Sequence, residues 1–154
     1  MDLFRSFTYK HTQLMGWPII LVIVAGAAIS LVLGIYHGNA AALIVGLFLV
    51  VAIILFGKLT VTVDDKGVKA AFGPGLSHAV FPLIQIRSCR VVRNKWYYGW
   101  GFRIFPVGIL YNVNGLDAVE LLLADGRIRR IGTDEPERLN SAINQILAKK
   151  TRPS

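Results

Sequence analysis

The sequence predicts a membrane-anchored α+β protein: a two-helix transmembrane hairpin, then a β-rich domain closed by one C-terminal helix. Three observations carry this expectation. Residues 17–57 contain no Asp, Glu, Lys or Arg. From residue 59 onward short runs alternate apolar and polar residues between Gly-, Pro-, Asn- and Asp-bearing breaks, the period of half-buried strands. The chain ends on a stretch whose apolar residues return at helical spacing.

The hairpin comes first. Apolar spans at 17–35 and 40–57 flank the break Tyr36-His37-Gly38-Asn39. At ~1.5 Å per residue each span is roughly 27 to 29 Å long, close to the ~30 Å hydrocarbon thickness of a bilayer. A link this short predicts adjacent, antiparallel helices. Gly26, Ser30 and Gly34 recur every four residues, as do Ala42 and Gly46. Small residues at that spacing let helix backbones approach closely in lipid. They serve packing within the hairpin or, alternatively, a dimer face. Arg5 and Lys10 precede the hairpin, Lys58, Lys66 and Lys69 follow it, and the break carries neither Lys nor Arg. The positive-inside rule then places both termini in the cytoplasm. The two spans carry no Asp, Glu, Lys or Arg and His37 sits in the loop, so an ion or proton pathway through the hairpin has no support.

Residues 1–16 read as a cytoplasmic or interfacial segment, with Trp17 and Pro18 marking entry into the first helix. A signal peptide fits poorly, because its apolar region would exceed the usual ~7–15 residues and a second span follows at once. Mean hydropathy is +0.54 and net charge +8. Beyond Gly57 there are 15 Lys and Arg against 8 Asp and Glu, hence +7 of that charge. A basic domain tethered to a bilayer implies contact with anionic headgroups rather than nucleic acid. The single cysteine, Cys89, excludes an internal disulfide or a cysteine metal site.

Seven strands are expected in residues 58–150: at 59–63, 68–72, 76–81, 85–93, 109–113, 117–123 and 127–131. The turns Asp64-Asp65-Lys66-Gly67, Gly73-Pro74-Gly75, Asn114-Gly115 and Ala124-Asp125-Gly126 separate them. Residues 94–108 form a longer connection with extended structure near 102–105. Thr133 or Asp134 caps the final helix, and Asp134 with Glu137 resembles a capping box. Pro136 suits the first turn, Lys149 and Lys150 suit the last, and Leu139, Ile143, Ile146 and Leu147 form an apolar stripe. Residues 151–154 are a tail.

Strands followed by one amphipathic helix resemble the pleckstrin-homology (PH) fold. The runs at 99–106 (GWGFRIFP), 111–121 (YNVNGLDAVEL) and 125–139 (DGRIRRIGTDEPERL) resemble the bacterial PH-like membrane proteins. The resemblance covers roughly residues 58–148 and implies a seven-stranded β-barrel or sandwich capped by a C-terminal helix, with transmembrane helices before it. It implies a setting, the bacterial inner membrane, more than a mechanism. Phosphoinositide-binding PH domains use basic residues around the loop between their first two strands. The short Asp64-Asp65-Lys66-Gly67 here departs from that pattern, so specific phosphoinositide recognition is not carried over.

Residues 87–105 are the most function-like stretch. Arg87, Arg90, Arg93, Lys95 and Arg103 interleave with Trp96, Tyr97, Tyr98, Trp100, Phe102 and Phe105. Arg and Lys bond phosphate oxygens, and Trp and Tyr favour the headgroup level. Either this stretch contacts anionic lipid, or its aromatics close the core and its charges face water. A second basic set is Arg127, Arg129 and Arg130, where Glu120 on the neighbouring strand can pair with Arg127 or Arg129. His11, His37 and His78 form no metal-binding spacing, and no catalytic or nucleotide motif is present. The expected function is therefore binding, with no enzyme activity, cofactor or metal. The chain reads as a scaffold that contacts anionic phospholipid, a protein partner, or both. The alternative is a structural subunit that homo-oligomerises through the PH-like domain or the hairpin.

Overall fold

The computed structural model describes residues 8–75, 77–95, 97, 101–105 and 108–151. Among them are nine strands and three α-helices, in the order β1 (Tyr9–Leu14), α1 (Trp17–His37), α2 (Ala40–Phe56), β2 (Lys58–Asp64), β3 (Gly67–Phe72), β4 (Ser77–Pro82), β5 (Ile86–Arg93), β6 (Gly101–Phe105), β7 (Gly108–Asn112), β8 (Asp117–Leu123), β9 (Ile128–Gly132) and α3 (Pro136–Thr151). A 3₁₀ turn, Leu83–Gln85, joins β4 to β5.

Two of these strands correct the seven-strand expectation. β1 lies in the N-terminal segment expected to be interfacial and pairs antiparallel with β2, from Tyr9↔Val63 to Leu14↔Lys58. Its inward residues, Tyr9, His11 and Gln13, are polar, so the alternation that marks a half-buried strand is absent. β6 occupies the expected extended stretch and pairs with β7. The strands form an antiparallel four-stranded sheet, β1-β2-β3-β4, and a five-stranded sheet ordered β5-β8-β9-β7-β6. In the second sheet β9 enters between β8 and β7 and runs parallel to β7. A series of consecutive hairpins would not produce that pairing.

The core fills the space between the sheets: Leu59, Val61 and Val63 of β2, Val68 and Phe72 of β3, Val119 and Leu121 of β8, and Ile131 of β9. Tyr111 sits 6.5 Å from Phe72 and 5.8 Å from Phe81, ring to ring. α3 closes the remaining opening with Leu139, Ala142, Ile143 and Ile146, all buried. Each large apolar side chain buried this way contributes about 1.5–3 kcal/mol. The capping box does not form as expected. Thr133 Oγ1 accepts the Glu135 N–H at 3.1 Å, while Asp134 turns to His11 of β1 at 2.6 Å.

α1 and α2 are an insertion between two paired strands. The expected four-residue break shrinks to two, because the helix continues through His37. Gly38 then adopts the left-handed conformation at φ 62°, with its N–H on Ile35 O and the Asn39 N–H on Gly34 O, a Schellman ending. The Asn39 side chain caps α2 by accepting the Ala42 N–H. The helices pack antiparallel: a Cβ on Gly34 would lie 2.7 Å from Leu43 Cγ, and one on Gly46 2.6 Å from Leu31 Cγ. Ser30 and Ala42 are half-buried. α1 is long and apolar enough to cross a bilayer, with a mean hydropathy of 2.7. α2 is shorter, at 17 residues.

The pair is joined to the sandwich without a flexible linker. The β1–β2 ladder runs on into a Met15 N–H to Gly57 O bond of 2.8 Å. Phe56 of α2 meets Phe72 of the core at 6.0 Å. Gly73, at φ 52°, allows the β3–β4 turn to press against the carbonyls of Ile54 and Leu55. These contacts define a helix-proximal and a helix-distal pole of the sandwich.

Close packing of α1 on α2 predicts a contrast between two glycines. In Gly34→Ala the new methyl also meets Leu43 backbone N at 2.9 Å and has no room. Overpacking of this kind costs about 1–3 kcal/mol. In Gly26→Ala the nearest atom is Leu49 Cδ1 at 3.6 Å, an ordinary contact. Thermal unfolding in mild detergent should show a lowered Tm for the first variant and an unchanged or raised Tm for the second.

Candidate functional site

The helix-proximal pole gathers several chain segments. The Gln13 Nε2–H donates to Asn114 O at 2.9 Å, and a Cβ on Gly16, at the foot of α1, would lie 3.0 Å from Asn114 Oδ1. The connection 113–116 is shaped by buried Asn112. Its Nδ2–H donates to Gly115 O at 3.0 Å, and its Oδ1 accepts the Asn114 N–H at 3.2 Å. Leu116 O accepts the Asn94 N–H at 2.7 Å. The end of β5, with Arg93, Asn94 and Lys95, and the start of β6 at Gly101 therefore lie beside the entry to α1.

The residues singled out between 87 and 105 do not form one patch. Arg93 is exposed opposite Asp117. Lys95 lies over the ring of exposed Tyr97, with Nζ 5.6 Å from its centroid, a cation–π contact. Trp96, Tyr98 and Trp100 lie outside the described residues, as do the side chains of Phe102 and Phe105. Arg103 is exposed on edge strand β6 opposite Leu110. Arg87 sits at a register shift where β5 begins, at the helix-distal pole.

Arg90 belongs to an ion network. Its guanidinium bonds Glu120 Oε1 at 2.6 and 2.8 Å, and Arg130 bonds Oε2 with two 2.8 Å contacts. Arg130 Nη1–H also donates to Asn94 Oδ1 at 3.2 Å. Glu120 is buried. Burial pushes its carboxyl up, but the hydrogen bonds and charges of Arg130 and Arg90 outweigh this and hold it below the ordinary carboxylate range. The expected pairing of Glu120 with Arg127 or Arg129 is thus corrected. Arg127 pairs with Asp125 at 2.7 Å, and Arg129 lies one register step away, opposite Leu121. Counting outward from Asp125 at the centre of the β8–β9 turn puts residue 130 across from 120, a signal the sequence already held.

Two further features lie outside that network, and the first of them was not anticipated. A cavity of about 510 Å³ opens between β1 and α3, with His11, Tyr9 and Glu135 in its wall. There His11 Nε2 lies 2.6 Å from Asp134 and Nδ1 3.6 Å from Glu135, the Tyr9 hydroxyl donates to Glu135 at 3.4 Å, and Arg138 bonds the same carboxylate at 2.7 Å. Burial pushes the Tyr9 phenol up to about 12. These polar groups bridge β1 and α3 along the open rim of the sandwich, which explains why β1 faces inward with polar residues. The second feature is Cys89, half-buried against α3, where burial pushes its thiol up to about 11 and leaves it unreactive at neutral pH. Among the described residues no three His, Cys, Asp or Glu side chains gather into a metal-binding group. No family model matches the chain, and no curated protein matches it.

Removing Glu120 strands two guanidinium groups, one of them largely buried. Glu120→Ala should cost about 3 kcal/mol. The depressed carboxyl stabilises the fold above its ordinary pKa, and that contribution is lost as pH falls through its lower folded value. Chemical denaturation as a function of pH should show wild-type stability dropping in that acidic window. Glu120→Gln should be less stable at neutral pH and flatter in acid.

Proposed function

We propose that this chain is a membrane-anchored binding module of the bacterial inner membrane. In this reading α1 and α2 cross the bilayer as a hairpin with both termini in the cytoplasm, and a PH-like domain stands at the cytoplasmic face. α1, at 21 residues, reaches about 31 Å, and α2, at 17, about 25 Å, near the lower limit for a span. Both helices expose broad apolar surfaces, such as Leu21, Val22, Leu47 and Phe48, as lipid-facing helices do. The small-residue faces are filled by Leu43 and Leu31 of the partner helix, which favours packing within the hairpin over a dimer face.

One observation carries the functional reading. Arg93, Lys95 and Tyr97 belong to the pole from which the helices leave the sandwich. Trp17 is exposed at the same level and suits an aromatic belt. In the proposed orientation this pole rests at the anionic headgroups, with Arg93, Lys95 and, from the sequence, Trp96, Tyr98 and Trp100 as its contacts. Each basic residue near such a surface is worth roughly 1 kcal/mol. Arg90 is assigned to Glu120 and Arg87 to the other pole, so neither serves as a lipid contact. The β2–β3 turn, which corresponds to the phosphoinositide-binding loop of PH domains, is also at the other pole. The proposal therefore concerns surface electrostatics and not specific phosphoinositide recognition.

Hydrogen exchange of the full chain in nanodiscs tests the lipid contact. Residues 93–101 should be more protected with anionic than with zwitterionic lipid, and Arg93→Glu with Lys95→Glu should abolish the difference. Equal exchange in both lipids would refute it. Sidedness is tested by Tyr36→Cys in a Cys89→Ser background. An impermeant maleimide should label intact spheroplasts, and labelling only after permeabilisation would reverse the topology.

A further inference from the structure

The helix-distal pole is organised around the 3₁₀ turn Leu83–Gln85. Three elements converge on it by main-chain or ammonium bonds. The Leu83 N–H donates to Lys66 O of the β2–β3 turn at 2.8 Å, and the Ala124 N–H of the β8–β9 turn donates to Gln85 O at 2.7 Å. Lys150, in the last turn of α3, donates through Nζ to the carbonyls of Leu83 and Ile84 at 3.3 and 3.5 Å. At the centre of this junction Ile84 is 76% exposed, an apolar side chain held out on a pinned turn.

Around Ile84 stand Lys66, Arg87, Lys149 and Lys150, all exposed, and none makes an ion pair among the described residues. The carboxylates nearby do not offset them equally. Asp125 is taken by Arg127, and Asp64 accepts the N–H groups of Lys66 and Gly67 inside its turn. Among the described residues Asp65 is the remaining acid at this pole. The result is a positively charged surface with a fixed apolar centre.

The anchoring bilayer does not account for it. β2 runs the length of the sandwich from α2 to this pole, and its seven residues span about 20 Å. An anionic surface potential decays over a Debye length of about 8 Å at physiological salt. Nucleic acid is disfavoured as well, since single-strand binders add aromatic stacking platforms, and the described aromatics at this end are the buried Phe81 and the half-buried Tyr9, which sits on the opposite edge strand with its hydroxyl on Glu135.

We infer that the helix-distal pole docks an acidic protein segment, with an apolar side chain of the partner set against Ile84 and its carboxylates among Lys66, Arg87, Lys149 and Lys150. This rests on the membrane-anchored reading for the orientation of the pole and supplies the chemistry of its protein partner. Complementary charge would steer the encounter and make it salt-dependent, while the apolar contact would set the register.

The test uses the full chain in zwitterionic nanodiscs and three fluorescent probes. These are an Asp/Glu-rich dodecapeptide carrying one Leu, the same peptide with Ser for Leu, and a dodecathymidylate. The Leu peptide should bind most tightly and weaken at least tenfold between 50 and 300 mM salt. Lys66→Glu with Arg87→Glu and Lys149→Glu should weaken it at least tenfold, and Ile84→Ser should abolish the preference for Leu over Ser. Arg93→Glu with Lys95→Glu should leave binding unchanged. The inference is overturned if the Leu peptide fails to bind, if it binds the pole variants as well as wild type, or if the oligonucleotide binds as tightly. Hydrogen exchange of residues 93–101 in anionic nanodiscs separates the two readings. Lipid-dependent protection that survives in the distal-pole variants leaves the membrane contact standing whatever the peptide does.

Discussion

The rest of the structure depends on one continuity: β1 runs into α1, and α2 runs into β2, while β1 and β2 remain hydrogen-bonded to each other. The ladder that ends at Leu14↔Lys58 is extended by the Met15 N–H to Gly57 O bond, so the helix pair leaves the sheet from two clamped strands. A single tether of this length would allow the domain to swivel. Two strands in register, with Phe56 set against Phe72 and the Gly73 turn pressed on the end of α2, remove that freedom. The sandwich then has two unlike ends whose positions relative to the helices follow from covalent geometry and backbone hydrogen bonds.

That constraint sorts the charges. A basic domain read only by its net charge would be assigned one diffuse attraction to anionic partners. Here Arg93 and Lys95 stand at one end, and Lys66, Arg87, Lys149 and Lys150 at the other. Arg90 and Arg130 are spent on Glu120 in the middle of the five-stranded sheet. A buried carboxylate between two guanidinium groups adds little net stability, since desolvation offsets most of the attraction. Its cost when broken is large, and it holds Asn94 through Arg130 beside the segment that leads to the aromatic residues. The network is better understood as a positioning element than as part of an interface.

Much of the fold was legible in the sequence where side-chain period and burial agree. β2 alternates cleanly, β3, β5, β8 and β9 are short apolar-bearing runs bounded by turn residues, and α3 carries its apolar stripe with acidic residues first and basic residues last. β1 was not legible because its inward residues meet Asp134, Glu135 and Asn114 at a polar rim rather than an apolar core. The parallel β7–β9 pair was hidden for a different reason, since local pattern says nothing about which strand inserts between two others. The candidate site was legible in composition but not in arrangement. Arg87, Arg90 and Arg93 are three apart in sequence, yet they fall at the distal end, the middle and the proximal end of a single strand. The role of Ile84 was likewise invisible until the turn that carries it was seen to be held by Lys150.

The central claim is that the double attachment orients the sandwich, with the residue 93–97 end at the bilayer and the Ile84 end away from it. Spin labels at Arg93 and at Lys66, read one at a time in Cys89→Ser protein with headgroup-chelated gadolinium lipids, measure this directly. The label at residue 93 should relax much faster than that at residue 66, as expected for sites separated by about 20 Å along the strands. Equal relaxation at the two sites would contradict the account.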